Sequence, residues 1–389
     1  MAKVFLKKNE ERRILNGHYW VFSNEVESIE QGIETGDLAE AYSSKGECLG
    51  TGFYNKNSLI TLRLLKKPFG GDLAGYLKDS ILRALNFRDN IYSGRTSYRL
   101  VFSESDYLPG LIIDKYNNTF VLQVYSAGMQ KNLNIITDVL KNDLAAINIF
   151  TKNDPHLRRM EGLPEADEVI FGETGTEIIN DGKISYNIDF STSQKTGFYF
   201  DQSDNREFIE KFSSGKSVLD AFCNSGGFGM HAAYAGAKEV LFVESSNTEI
   251  ENAKSNYLLN KLNAETEFIK SDVFDYLEKC AGENKKFDIV IVDPPAFAKN
   301  RKSIATASKG YTKLNKLALS CVNKNGYLVT SSCSYHIKEQ DFSQLVINAA
   351  GKAGRNIQLI YKNGASLDHP QIPAMDETAY LKFMVFKVS

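Results

Sequence analysis

Residues 217–244 read S-V-L-D-A-F-C-N-S-G-G-F-G-M-H-A-A-Y-A-G-A-K-E-V-L-F-V-E. The apolar run closing on Asp220 has the look of a buried parallel strand. The small residues of Asn224–Gly229 let the backbone turn sharply and approach a ligand closely. Phe228 to Tyr234 then starts a helix, and Gly236 stops it. A second strand from Glu239 to Val243 closes with Glu244. The spacing therefore predicts a βαβ unit with an acid at its second strand tip, where a carboxylate can bind both hydroxyls of a ribose. These glycines do not fit G-x-G-x-x-G, which disfavours a nicotinamide dinucleotide. An acidic strand tip at Asp220, the Gly226-Gly227 turn and the second acid at Glu244 suit S-adenosylmethionine instead. That ligand has no pyrophosphate to cradle, a ribose to hold and a cationic sulfonium to tolerate. Loops of this kind also serve other nucleotides, so the rest of the chain has to decide.

With 389 residues, the chain is long enough for about two to three domains. A 42% hydrophobic and 24% charged composition is that of a globular protein with real cores. No apolar run approaches the roughly 20 residues that span a bilayer, and M-A-K-V-F-L-K-K-N-E-E-R-R is unlike a secretory signal. Five scattered cysteines without C-x-x-C spacing argue against a disulfide framework and against a zinc site. The expectation is a cytoplasmic protein with reduced thiols, no metal and no membrane partner. A net charge of −2 says nothing for nucleic acid, but basic residues cluster locally, most densely from Lys299 through Arg301, Lys302, Lys309 and Lys313 to Lys316. Such runs are solvated faces unless a ligand lies beside them.

Residues 1–67 carry short β-type runs separated by turn signals, which predicts a small barrel or sandwich. Within it, Trp20 and Phe22 are expected to be core aromatics under a turn. Residues 72–180 read as an α+β module: a helix over Leu73–Ile91, strands near 98–103, 111–116 and 119–125, a helix near 129–145 and a strand near 147–151. Its S-E-S-D-Y-L-P-G-L (Ser103–Leu111) is polar, turn-rich and expected to be structural, and Asp181-Gly182 is a hairpin signal. Residues 185–389 alternate strand and helix, with strands ending near Asp220, Val243, Ile269, Val292, Ser332 and Tyr361 and a last one through Leu381–Val388. Helices are expected to begin near Gly229, Asn247, Asp275, Tyr311 and Lys338. The fold class is therefore α/β: a doubly wound, mostly parallel sheet whose ligands sit at the strands' carboxyl ends.

Asp272 follows the third strand, where it can hydrogen-bond an adenine amino group with Val273 against the ring, or simply cap the next helix. The fourth strand ends in Asp293-Pro294-Pro295-Ala296-Phe297. Two prolines fix φ and remove two N–H donors, leaving a rigid turn with an acid and an aromatic on it. One planar base, extruded from its stack, can be hydrogen-bonded at its edge and stacked on its face there, with the basic stretch beside it for phosphates. The fifth strand ends in Ser331-Ser332-Cys333-Ser334-Tyr335-His336. A buried-hydrophobe reading covers Cys48, Cys280 and Cys321, and Cys223 reads as a small residue under the cofactor. Cys333 differs because it lies at the ligand edge, with His336 or a lysine to lower its pKa. Cytosine C5 is a poor nucleophile, and a thiolate added to C6 activates it. Asp293, bonded to N3 and the exocyclic amine, would stabilise the developing charge. The base that removes the C5 proton is not identifiable.

Over almost its whole length the chain resembles the ribosomal RNA large subunit methyltransferase I family, RNA cytosine-5 methyltransferases with an N-terminal PUA domain. The similarity rests on G-H-Y-W-V-F-S-N-E-V (Gly17–Val26), V-F-S-E-S-D-Y-L-P-G-L-I-I-D-K-Y, R-R-M-E-G-L-P (Arg158–Pro164) and K-T-G-F-Y-F-D-Q-S-D-N-R (Lys195–Arg206). D-x-F-x-x-x-G-G-F, N-x-x-L-N, D-P-P-x-F, Gly310-Tyr311 and S-C-S-x-H follow in order. The resemblance implies a PUA-like RNA-binding domain at 1–67, a central α+β domain at 72–180 and a Rossmann-like, seven-stranded methyltransferase domain at 185–389. It implies S-adenosylmethionine as cofactor, S-adenosylhomocysteine as product, and 23S ribosomal RNA as partner; a homodimer is a further expectation. Lys195, Phe198, Tyr199, Asp201, Gln202 and Arg206 are implied to line the cofactor site. Asp220, Phe222, Asn224, Gly226, Gly227, Phe228, Glu244, Ser245, Asp272, Val273 and Asp293 complete it. Cys333 is implied to be the nucleophile, and from the strand-tip reading Asp293 is expected to act with it in catalysis while Pro294, Pro295 and Phe297 hold the base. Glu244 stands where Asp is commoner and Asn224 where Tyr is frequent, which bears on affinity rather than chemistry. Two rival readings are a methyltransferase for guanine or a base nitrogen, which needs no thiolate, and an RNA-binding assembly factor without turnover.

Overall fold

The computed structural model describes every residue from Met1 to Ser389 except Gln194, Lys195 and Lys299. The chain forms two bodies, one made of residues 1–182, 188–200 and 367–378, the other of 183–187, 201–366 and 379–389. Residues 188–200 and 367–378 fall within the stretch read as a third domain but cluster with the first body. Phe190 and Phe200 pack their rings 5.0 and 5.2 Å from that of Tyr116, and Asp368 accepts the Arg99 amide at 2.9 Å. Among the described residues no helix is long and apolar enough to cross a membrane.

In the first body, β1 (Ala2–Leu6), β2 (Trp20–Phe22), β3 (Val26–Ile29), β4 (Leu38–Tyr42), β5 (Cys48–Tyr54) and β6 (Ile60–Leu64) form one sheet in the order β2-β6-β5-β4-β1-β3, with a short helix α1 (Arg12–Leu15). Its core holds Val4, Leu6, Val21, Leu62 and Leu64. The expectation for Trp20 and Phe22 is corrected here: period-two alternation turns Val21 inward and leaves its neighbours half-buried. The Trp20 indole N–H donates to Glu104 at 2.7 Å. Cys48 is corrected too: it is exposed as the first residue of β5, continuing the exposed turn over 44–47, while Leu49 to Tyr54 are buried.

Next come α2 (Leu73–Ile91), β7 (Ser97–Phe102), β8 (Leu111–Tyr116), β9 (Thr119–Val124), α3 (Ala127–Lys131), α4 (Leu133–Asn142), β10 (Asn148–Thr151), α5 (Pro155–Met160) and β11 (Val169–Phe171). Asp72 caps α2 by accepting the Gly75 amide, and Leu77, Ile81 and Ala84 bury its inner face against the sheet β11-β10-β9-β8-β7. Ser103–Asp106 is structural: Glu104 accepts from Arg63 at 3.0 Å, and Asp106 takes both Arg88 Nη atoms at 2.5 and 2.8 Å. Strands β12 (Thr176–Asn180) and β13 (Ser185–Asp189) flank Asp181-Gly182, where Gly182 has φ +106°.

The second body is built from α6 (Ser203–Ile209), β14 (Ser217–Ala221), α7 (Gly227–Tyr234), β15 (Glu239–Glu244), α8 (Asn247–Leu259), β16 (Glu265–Lys270), α9 (Val273–Gly282) and β17 (Phe287–Val292). It continues with α10 (Ile304–Ser320), β18 (Val322–Ser332), α11 (Glu339–Ala353), β19 (Ile357–Asn363) and β20 (Lys382–Val388). The strands form one seven-stranded sheet, β16-β15-β14-β17-β18-β20-β19, in which β16 to β18 run parallel and β20 runs antiparallel to both neighbours. The central parallel strands β14, β15 and β17 are largely apolar runs covered on both faces, whereas the edge strand β16, E-T-E-F-I-K, is mostly exposed. One boundary differs from expectation: α10 begins at Ile304 rather than near Tyr311, because Asn300 and Ser303 cap the turn that leads into it. Lys309, Lys313 and Lys316 therefore lie on a helix, and Lys313 pairs with Glu278 at 2.8 Å.

Candidate active site at the carboxyl ends of β14, β15, β17 and β18

β14 delivers Asp220, 1% exposed, whose Oδ2 accepts the Gly229 amide at 2.7 Å. The loop after it is bent by three residues with positive φ, Phe222 (+63°), Asn224 (+47°) and Gly226 (+88°). A phenylalanine in that region is strained, and such strain persists only where the surroundings impose it. A Cβ on Gly227 would sit 2.5 Å from Arg206 Nε, so any side chain there would displace that guanidinium. Phe228, in the first turn of α7, lies with its ring 6.0 Å from the Arg206 guanidinium carbon. At the tip of β15, Glu244 accepts from the amides of Asn224 (3.2 Å), Ser245 (2.7 Å) and Ser246 (3.2 Å). Both turns are thereby tied to one carboxylate.

Asp272 caps α9, its Oδ1 accepting the amides of Phe274 and Asp275 at 2.8 and 3.2 Å, and Val273 is a core residue beneath it. From α6 and the turn before it, Gln202 donates to Asp293 Oδ1 at 3.0 Å, and Asp201 accepts the Tyr380 hydroxyl at 2.6 Å. Burial, followed by the charge of Asp293, pushes Asp220 up to about 7. Burial, followed by the charge of Asp201, pushes Asp293 up to about 6. A cluster of carboxylates crowded in this way favours any cation brought beside it.

Cys333 follows β18 directly, and its thiol donates to the Pro294 carbonyl at 4.0 Å. The parallel register pairs Val292 with Thr330, which carries Asp293-Pro294 and Cys333 to one place beyond the strand ends. Pro294 is buried and Pro295 exposed. Phe297 packs its ring 4.6 Å from that of Tyr311 and against Gly310, so α10 supports the aromatic of the turn. Hydroxyls brace the cysteine loop: Ser332 Oγ donates to Tyr311 Oη at 3.0 Å, which lies 3.0 Å from Ser334 Oγ, and that oxygen accepts the Ala298 amide at 3.1 Å. Cys223 is buried within the loop after β14, and burial holds its thiol well above the ordinary range, in keeping with a packing role.

The K-T-G-F-Y-F-D-Q-S-D-N-R motif divides between the bodies. Phe198 and Tyr199 belong to the first, where the Phe198 amide donates to Tyr116 Oη at 2.9 Å; Asp201, Gln202 and Arg206 belong to the second. Lys195 lies outside the described residues, as does Lys299. Two residues at this edge were missed from sequence. Lys382 and Tyr380 come from the segment entering β20, and the available signal was a lysine opening the otherwise apolar K-F-M-V-F.

Comparison with known proteins follows the same division. A family model described as a PUA-like domain matches residues 4–67, and one described as conserved hypothetical protein 95 matches residues 203–362. The chain is 36% identical over 394 residues to the ribosomal RNA large subunit methyltransferase I of Aeromonas hydrophila subsp. hydrophila, covering 99% of each. To the protein of that name from Aeromonas salmonicida it is 37% identical over 391 residues, covering 99% of this chain and 98% of the relative. Among solved structures, SMU.776 complexed with SAH superposes with a TM-score of 0.85 at 20% identity, covering all of both chains. A protein of Streptococcus mutans described as a SAM-dependent methyltransferase gives 0.83 at 21%, again over all of both chains. These two likenesses establish the fold.

Proposed function

The chain belongs to the ribosomal RNA large subunit methyltransferase I family, and from that premise we propose that it is a cytoplasmic, S-adenosylmethionine-dependent enzyme that methylates C5 of a cytosine in 23S ribosomal RNA through the Cys333 thiolate. The observation that carries the cytosine reading is the thiol of Cys333 held at the Pro294 carbonyl, on the turn that Asp293 opens. Methylation of a base nitrogen needs no thiolate there.

The residues fit the methyl donor. Asp220 Oδ1 is enclosed and, among the described residues, has no hydrogen-bond partner, which leaves an acceptor for a donor group of the ligand. Glu244 presents a carboxylate at the strand tip for ribose hydroxyls. Gly226, at φ +88°, lets the loop turn, and Gly227 leaves room for the Arg206 guanidinium beside it. The raised Asp220 would regain its charge beside a cation. When bound, S-adenosylmethionine supplies an electrophilic methyl group.

Asp293 and the Pro294-Pro295 turn grip the edge of an extruded cytosine, whose removal from the stack costs a few kcal/mol. Cys333 sulfur adds to C6, forming a C–S bond and making C5 a carbon nucleophile. Asp293, raised to about 6, would in its protonated form donate to N3 and accept from the exocyclic amine, stabilising the negative charge that develops at N3. Once C5 is methylated, its proton leaves to a base, the C–S bond breaks and the thiolate is released. Bisulfite sequencing of large-subunit ribosomal RNA from cells with and without the gene tests this. One cytosine protected only when the gene is present supports it. An unchanged pattern, with methylation appearing on a nitrogen, overturns it.

A further inference from the structure

Lys382 opens β20, an interior strand of the second body, followed by the core residues Phe383, Met384, Val385 and Phe386. It is 5% exposed. Lysine is almost never so buried unless its charge is matched. The ammonium donates to the carbonyls of Ser334 at 2.6 Å and Tyr380 at 2.8 Å, which uses two of its three donors on neutral groups. Among the described residues no carboxylate forms an ion pair with it.

The position of this charge is specific. Lys382 stands across the ladder from Ser332, and its ammonium reaches Ser334, so it embraces the peptide that carries Cys333. Burial draws the ammonium down to about 8, and the charge of Cys333 is the influence that holds its proton on. Lys338 opposes the ammonium. Tyr311, on α10, touches the hydroxyls on either side of Cys333, and burial keeps it protonated. Asp293 precedes the proline whose carbonyl accepts from the thiol, and His336 lies three residues beyond the cysteine.

We propose that Lys382 is a positioning residue whose buried ammonium is the fixed counter-charge of the Cys333 thiolate. This deepens the cytosine-5 reading and rests on Cys333 being its nucleophile. On ionisation Cys333 gives its proton to solvent and gives up its hydrogen bond to the Pro294 carbonyl, while Lys382 keeps its own proton, so the reactive pair is ammonium and thiolate. When the C–S bond of the base adduct breaks, the electron pair returns to sulfur beside the same ammonium. The role also gives a reason for a lysine at a position where a hydrophobic residue would pack.

The test is the pH profile of Cys333 alkylation by iodoacetamide in the full chain without RNA, read by mass spectrometry of its peptide so that exposed Cys48 does not interfere. In Lys382→Met the rate at pH 7 falls about tenfold and the midpoint moves up, as expected for loss of one nearby cation. Lys382→Arg restores most of the rate. The wild-type thiolate absorbance near 240 nm, taken against Cys333→Ser, needs no lysine variant and titrates below the ordinary thiol value of about 8.5. Identical profiles in Lys382→Met and wild type, or a wild-type midpoint at or above that value, overturn the proposal. Failure of the cytosine reading is distinguishable: the alkylation shift would persist while bisulfite-resistant cytosine is absent.

Discussion

Replacing Asp220 by Asn should stabilise the ligand-free protein selectively at high pH while weakening its hold on the methyl donor. In the folded chain the Asp220 carboxyl is raised from 3.8 to about 7, chiefly by burial. Between those values the folded state keeps a proton that the unfolded state has released, so stability falls as pH rises through the window. At about 1.4 kcal/mol per tenfold in ionisation, the full cost above pH 7 is about 4 kcal/mol, and the part incurred between pH 5 and pH 8 is about 2–3 kcal/mol. The asparagine oxygen still accepts the Gly229 amide that Oδ2 accepts now. Its NH2 group, placed where Oδ1 lacks a partner, costs about 1–3 kcal/mol at either pH and cancels in the comparison. Urea unfolding followed by circular dichroism should therefore show the variant gaining about 2–3 kcal/mol on wild type from pH 5 to pH 8. Calorimetry should show at least tenfold weaker binding of S-adenosylmethionine. Parallel pH dependences in the two proteins would refute the assignment of a buried, ionisation-resisting carboxyl to the strand tip.

Gly227→Ala should cut cofactor affinity at least tenfold with little change in RNA binding, since its methyl would meet Arg206 Nε at 2.5 Å; unchanged affinity in a calorimetric titration would contradict the close approach. Arg63→Met should destabilise the first body by about 3–5 kcal/mol, because Glu104 and Glu161, bound at 3.0 and 2.8 Å, would be left buried without their cation. Trp20, the one tryptophan, donates to Glu104, so its fluorescence reports that transition, and an unmoved midpoint would sink the claim. Cys333→Ala should abolish methylation while leaving cofactor binding by calorimetry nearly unchanged, and full activity in that variant would eliminate the thiolate.

The seven-stranded sheet was legible because its central parallel strands carry apolar runs that end in residues marking the strand tips, Asp220 in β14, Glu244 in β15 and Asp293-Pro294 after β17. Helix α2 announced itself through Leu77, Ile81 and Ala84 on one face. The start of α10 was not legible, since A-T-A-S-K-G carries little apolar periodicity and its cap lies in a basic stretch. Trp20 and Cys48 misled because residue type suggests burial, whereas pleat register decides it at Trp20 and the strand's exposed start decides it at Cys48. At the site, Asp220, Glu244, Asp293 and Cys333 were visible as strand-tip residues. Gln202 and Arg206 came only through resemblance, because their contacts bridge about 90 and 20 residues of sequence. Lys382 lies further still from Cys333, and nothing local links the two.

The thiolate account stands or falls on a covalent bond. Incubated with S-adenosylmethionine and ribosomal RNA carrying 5-fluorocytidine, the wild-type protein should form an adduct that survives denaturing gel electrophoresis, since fluorine at C5 cannot leave as a proton does. Cys333→Ala should form none. A wild-type protein that methylates unmodified RNA yet yields no shifted species with the fluorinated substrate would contradict nucleophilic attack by Cys333.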